Sequence, residues 1–135
     1  MRNPYAFRTK KNKYRAKKVE YDGIQFDSQK EVLRYKELRF LCDEGIISNL
    51  RRQVKYILIP TQREPAEIDP RGGVKLGKLL EEECIYYADF VYTVNETGET
   101  VVEDVKGYKK GEAYKHFAMK RKLMLFVYGI QIKEI

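Results

Sequence analysis

The alternation of apolar and polar positions divides most of the chain into short elements. "FDSQKEVLRYKELRFLCDEG" places Glu31, Tyr35 and Leu38 at i, i+4 and i+7, on one face of a helix predicted over about Ser28–Asp43. Ser28 and Glu31 form an S-x-x-E capping box at its start, and Gly45 is placed to stop it. "VKYILIP" predicts a strand from about Val54 to Ile59, ended by Pro60. Residues 61–82, with Pro65, Pro70, Gly72, Gly73 and Gly77, read as a long loop. Two strands follow, about 84–94 and 99–106, joined into a hairpin by Asn95–Gly98. A second helix is predicted over about Glu112–Tyr128, stopped by Gly129, and "IQIKEI" closes the chain as a short strand. The order is helix, three strands, helix, strand, which makes this an α/β chain.

Charge adds a feature that the hydrophobic pattern does not show. The 135 residues carry a net charge of +7. Of 27 basic residues, eight fall within residues 1–18, a stretch with no acid; the 19 that remain face 20 acids. The excess therefore sits in a basic N-terminal arm, residues 1–22, ahead of a domain over 23–135. Arg8, Lys10, Lys11, Lys13, Arg15, Lys17 and Lys18 are its candidate contacts to a polyanion, nucleic acid first. A solubilising tail or an import signal is the alternative. Lys109, Lys110, Lys120 and Lys122 are candidate contacts around the second helix, or else an ordinary solvated face.

Other counts narrow the chemistry. The two cysteines, Cys42 and Cys84, form no CxxC pair and read as partly buried thiols in a reducing compartment. The one histidine, His116, leaves no Cys/His zinc set. No apolar run approaches the ~20 residues that cross a bilayer, and no secretory leader is evident, so a cytoplasmic protein without membrane contact is expected.

The unusual stretch is "YYADFVYTVNETGETVVEDVKG", Tyr86–Gly107. Asp89 interrupts the first strand of the hairpin, and Glu103, Asp104 and Lys106 interrupt the second. Buried carboxylates cost several kcal/mol unless paired or bound to a cation. By strand alternation Tyr87, Asp89 and Val91 share one face of their strand; in the next strand Val102, Asp104 and Lys106 share one face and Glu103 and Val105 the other. If the hairpin sets Asp89 beside Asp104, two acids and an ammonium converge, and a hard cation would relieve the repulsion. Glu31 faces the body of the protein at a helix end and either completes that site or serves only as a cap. Asp89 bonded to a nearby tyrosine, with Glu103, Asp104 and Lys106 on a solvated face, is the competing structural reading.

Asp89, 14 intervening residues and then Asp104-Val105-Lys106 in the next strand resemble the PD-(D/E)XK nuclease superfamily. "NKYRAKKVEYDGIQFDSQKEVLRYKEL", "YYADFVY", "VVEDVKG" and "YGIQIKEI" are similar to a family of small phage and prophage proteins described as nuclease-like or Holliday-junction-resolvase-like. The similarity spans nearly the whole chain except Thr61–Glu83, and Tyr87-Ala88-Asp89 lacks the superfamily's proline. The resemblance implies a restriction-endonuclease-like αβββαβ core, a central mixed sheet flanked by helices. It implies Mg²⁺ or Mn²⁺ held by Asp89, Asp104, Glu31 and the Val105 carbonyl, with Lys106 catalytic and Lys120 and Lys122 as basic residues from the following helix. It further implies hydrolysis of DNA, branched or junction DNA in particular, in the cytoplasm of a bacterial host, with a homodimer expected of a resolvase. An inactive relative that binds DNA or a host protein is the alternative.

Overall fold

The computed structural model describes residues 18–135. It begins with a hairpin of β1 (Val19–Tyr21) and β2 (Ile24–Phe26). Asp22 and Gly23 form the turn at φ 53° and 72°, the left-handed pair that a tight two-residue hairpin needs. Structure therefore starts inside the segment that the charge pattern assigns to the arm; "YDGI" was the signal for it. Helix α1 (Gln29–Asp43) follows, then strand β3 (Ile47–Ile59). Short strands β4 (Gln62–Arg63), β5 (Glu67–Ile68), β6 (Val74–Lys75) and β7 (Leu79–Glu81) come next. The chain ends with β8 (Cys84–Val94), β9 (Thr100–Asp104), α2 (Glu112–Tyr128) and β10 (Lys133–Glu134).

The central sheet has the order β10-β9-β8-β3. β9 and β10 run parallel, and the other pairs are antiparallel. This is a mixed α/β fold with a central mixed sheet and two helices. α1 covers one face through Val32, Tyr35 and Leu38, packed with Phe26, Ile47, Phe90 and Tyr92. α2 covers the other through Phe117 and Met124, packed with Leu58, Tyr86, Ala88, Val91 and Val102. Tyr128 pins the end of α2 to the sheet, donating to the Ile57 carbonyl at 2.6 Å. Among the described residues no helix is long and apolar enough to cross a membrane.

Both helices match the bounds predicted for them. Gly45 (φ 72°) follows the last turn of α1, and Gly129 (φ 67°) ends α2 in the left-handed conformation. β3 starts at Ile47 rather than Val54, because its first half does not follow one alternation. The segment read as a loop folds as two nested hairpins, β4 with β7 and β5 with β6. Their strands are two or three residues long and exposed throughout, so no buried face marks them in the sequence.

Glu103 is fully buried in β9. Arg34 grips it, donating from Nε at 2.9 Å and through a second nitrogen, and the Tyr92 hydroxyl donates at 2.6 Å. Removing one partner of a buried ion pair strands a charge, at a cost of about 3–5 kcal/mol. Arg34→Met is expected to lose stability on that scale in urea denaturation. Glu37→Gln, which removes only the exposed pair on the other side of Arg34, should change it by less than about 1 kcal/mol. Equal effects would mean that the buried pair does not hold α1 to the sheet.

Candidate active site

The end of β9, the start of α1 and the middles of β3 and β8 enclose a cleft of about 470 Å³. Lys30, Glu31, Gln53, Asp89, Asp104, Val105 and Lys106 line it. A larger hollow of about 630 Å³ near Gly129–Lys133 has one acid, Glu99, and gathers no comparable set.

α1 delivers Glu31 from its first turn. Ser28 is the cap, its hydroxyl accepting from the Glu31 N–H at 3.2 Å. Glu31 is itself only 4% exposed. Arg52 approaches its Oε1 to 3.5 Å, an ion pair too long to be a hydrogen bond, and that oxygen receives none. The guanidinium meanwhile stacks over the Phe26 ring, 4.1 Å from its centroid. Burial, then the charge of Asp27, push the Glu31 carboxyl above its ordinary pKa, and Arg52 opposes the shift.

β8 pairs with β9 up to Phe90 and Glu103. One step further the register brings Asp89 beside Asp104, as the hairpin pattern anticipates, and there the ladder opens. The Val105 N–H donates to Asp89 Oδ2 at 2.8 Å, and the Gln53 amide donates to Oδ1 at 3.1 Å. Burial first, and then the charge of Asp104, push Asp89 up to about 7; the two hydrogen bonds oppose this. Asp104 Oδ2 accepts from the buried Tyr86 hydroxyl at 2.6 Å, and Lys106 Nζ lies 2.9 Å from Oδ1. The same ammonium sits 3.6 Å from the centre of the Phe117 ring. Lys30 closes the rim, donating from Nζ to the Lys106 carbonyl at 2.6 Å.

Asp89, Asp104, Lys106 and Glu31 thus line one cleft. Val105 lines it too, but its observed contribution is its N–H rather than the carbonyl expected to ligate. Val91 does not share a face with Asp89: it packs with Ala88 under α2. Lys120 is half-buried and Lys122 exposed on α2, and Lys109 and Lys110 are exposed after Gly107. None of these four lines the cleft. Lys18 is exposed where the described chain begins, and Arg8, Lys10, Lys11, Lys13, Arg15 and Lys17 lie outside the described residues. Lys30, Arg52, Gln53 and Tyr86 were not anticipated. The polar pair Arg52-Gln53 just ahead of an apolar strand was the available signal.

Among the described residues no three Asp, Glu, His or Cys side chains gather closely enough to hold an ion as they stand. The donor chemistry nonetheless suits a hard divalent cation. Asp89 and Asp104 repel each other, and Glu31 offers an unbonded oxygen to the same cleft.

Fold and site together define an α/β protein with a carboxylate-lined cleft at a strand end. Residues 11–133 match the model of the family described as "Protein of unknown function (DUF1064)", and the chain belongs to that family. Searches of curated proteins and of solved structures give no match.

The Asp89 shift predicts a pH signature. The folded state holds this proton more tightly, with a pKa of about 7 against an ordinary 3.8. The resulting stabilisation is fully present below about pH 4 and lost as pH rises through 7. Asp89→Asn should therefore melt several degrees above wild type at pH 8, and the gap should close towards pH 4. A gap independent of pH would mean that burial and Asp104 do not hold Asp89 above its ordinary pKa.

Proposed function

We propose that this protein is a metal-dependent endonuclease that hydrolyses DNA phosphodiester bonds, selecting branched or junction DNA by shape. The observation that carries the reading is the meeting of Asp89, Asp104, Lys106 and Glu31 in one cleft. The element order α1, β3, β8, β9, α2, β10 supports it, being the αβββαβ order of a restriction-endonuclease-like core. Asp89, Asp104 and Glu31 would hold Mg²⁺ or Mn²⁺, which when bound polarises the phosphate and acidifies water.

The chain's own residues have separate tasks. Lys106, held between Asp104 and the Phe117 ring, positions the attacking water or steadies charge on a phosphate oxygen. Its link to Asp104 holds the ammonium within the cleft. Lys30 carries a second positive charge to the rim. The arm, with Lys109, Lys110, Lys120 and Lys122, grips the DNA backbone, and no residue set for reading bases stands out. Action on phage DNA within a bacterial host would place the protein in the cytoplasm, and paired cuts across a junction would call for a homodimer.

A second reading, a nuclease-fold protein that binds DNA or inhibits a host enzyme without cutting, is favoured by one observation. Both oxygens of Asp89 and both of Asp104 are already engaged by Val105, Gln53, Tyr86 and Lys106.

Asp104→Asn separates the two. The nuclease reading expects Mg²⁺-dependent cleavage to vanish while affinity for DNA in Ca²⁺ changes little; equal cleavage by variant and wild type would take Asp104 out of the chemistry. Deleting residues 1–18 should weaken DNA binding and flatten its dependence on salt, because each phosphate contact adds close to one unit of log–log slope. An unchanged slope would mean that the arm does not touch phosphate.

A further inference from the structure

Gln53 stands where two neighbouring strands change step together. Along β3, Val54, Tyr56 and Leu58 pack on the α2 side, whereas Leu50 packs on the α1 side and Arg52 stacks there on Phe26. Along β8, Cys84, Tyr86 and Ala88 face α2, whereas Phe90, Tyr92 and Val94 face α1. Side-chain alternation therefore inverts at residue 53 in one strand and at residue 89 in the other. The two are opposite each other: Arg52 pairs with Phe90 and Val54 with Ala88, and no slip of register falls between them.

The inversion has a backbone cause and a chemical consequence. Gln53 sits at φ 49°, a left-handed conformation inside a strand. A non-glycine residue there costs about 1–3 kcal/mol and persists only where its surroundings hold it. In a regular strand Arg52 and Gln53 would point to opposite faces. Here both reach acids of the same cleft, Arg52 approaching Glu31 and Gln53 bonding Asp89.

We propose that Gln53 is a positioning residue of this cleft: its amide, 3.1 Å from Asp89 Oδ1, fixes the orientation of that carboxylate for a divalent cation. The inference rests on the metal-binding reading of the cleft. Asp89 is then held by two donors from two strands, the Gln53 amide from β3 and the Val105 N–H beyond β9. A carboxylate has about four lone-pair sites. Two stay free of these donors, their direction set by the bonds the others accept. Partners of this kind, which orient a ligand without touching the ion, typically change metal affinity 10–100-fold when removed.

The test is Mn²⁺ binding to the full chain by calorimetry, without DNA. Gln53→Gly removes the amide and leaves a residue at ease in the left-handed conformation. It should melt at or above wild type and bind Mn²⁺ about 10–100-fold more weakly. Asn49→Gly, the same change at another left-handed position of β3, should bind as wild type does. If Gln53→Gly also melts lower, Gln53→Asn decides, since it keeps an amide where asparagine is tolerated. An affinity nearer wild type than Gln53→Gly supports the proposal, and one equal to Gln53→Gly overturns it. Wild-type affinity in a well-folded Gln53→Gly overturns the role of Gln53 and leaves the metal site standing. A wild type that binds no Mn²⁺ overturns both.

Discussion

Two consecutive carboxylates, Glu103 and Asp104, are buried side by side in an inner strand, Glu103 fully and Asp104 nearly so. Each must find charge or donors within the protein. Glu103 takes Arg34 and Tyr92 on the α1 side. The bond to Glu103 is the leading reason that Arg34 holds its proton more tightly than usual. Asp104 takes Tyr86 and Lys106 towards the α2 side. The first set ties α1 to the sheet. Glu31 lies three residues before Arg34, so the clamp that neutralises Glu103 also sets where Glu31 enters the cleft.

The second constraint is that acids of one cleft come from elements with different periodicities. Helix α1 supplies Glu31, β8 supplies Asp89, the end of β9 supplies Asp104, and Lys106 follows two residues beyond it. The sheet accommodates this by inverting its alternation at Gln53 and Asp89. It also opens the β8–β9 ladder so that the Val105 N–H turns to Asp89. What remains is an excess of negative charge, with Asp89 raised towards neutrality by its burial and by Asp104. On the proposed reading this cleft would take a cation, and Lys106 would stand beside it to meet an anionic substrate.

The parts that were legible in the sequence are those with one periodicity. α1 sets Glu31, Tyr35 and Leu38 on one face, both helices have glycines after their last turns, and the β8–β9 hairpin has a turn signal between apolar runs. Asp89, Asp104, Lys106 and Glu31 were visible because a charge in an apolar run is out of place. Gln53 was not, since an amide before a strand looks like its boundary, and strict alternation misplaced Val91 because the side-chain alternation of β8 inverts at Asp89. The nested hairpins of residues 61–82 were hidden because their short strands bury nothing. Arg34 and Tyr92 bond Glu103 across 69 and 11 positions of chain, a pairing that no local pattern reveals.

The decisive measurement is cleavage of labelled linear, flapped and four-way-junction DNA in Mg²⁺, Mn²⁺ or EDTA, comparing wild type with Lys106→Ala. The account predicts metal-dependent cutting, strongest on a branched substrate and lost in the variant. DNA that is bound but never cut, by wild type with either metal, would contradict it and leave a binding protein built on a nuclease-like cleft.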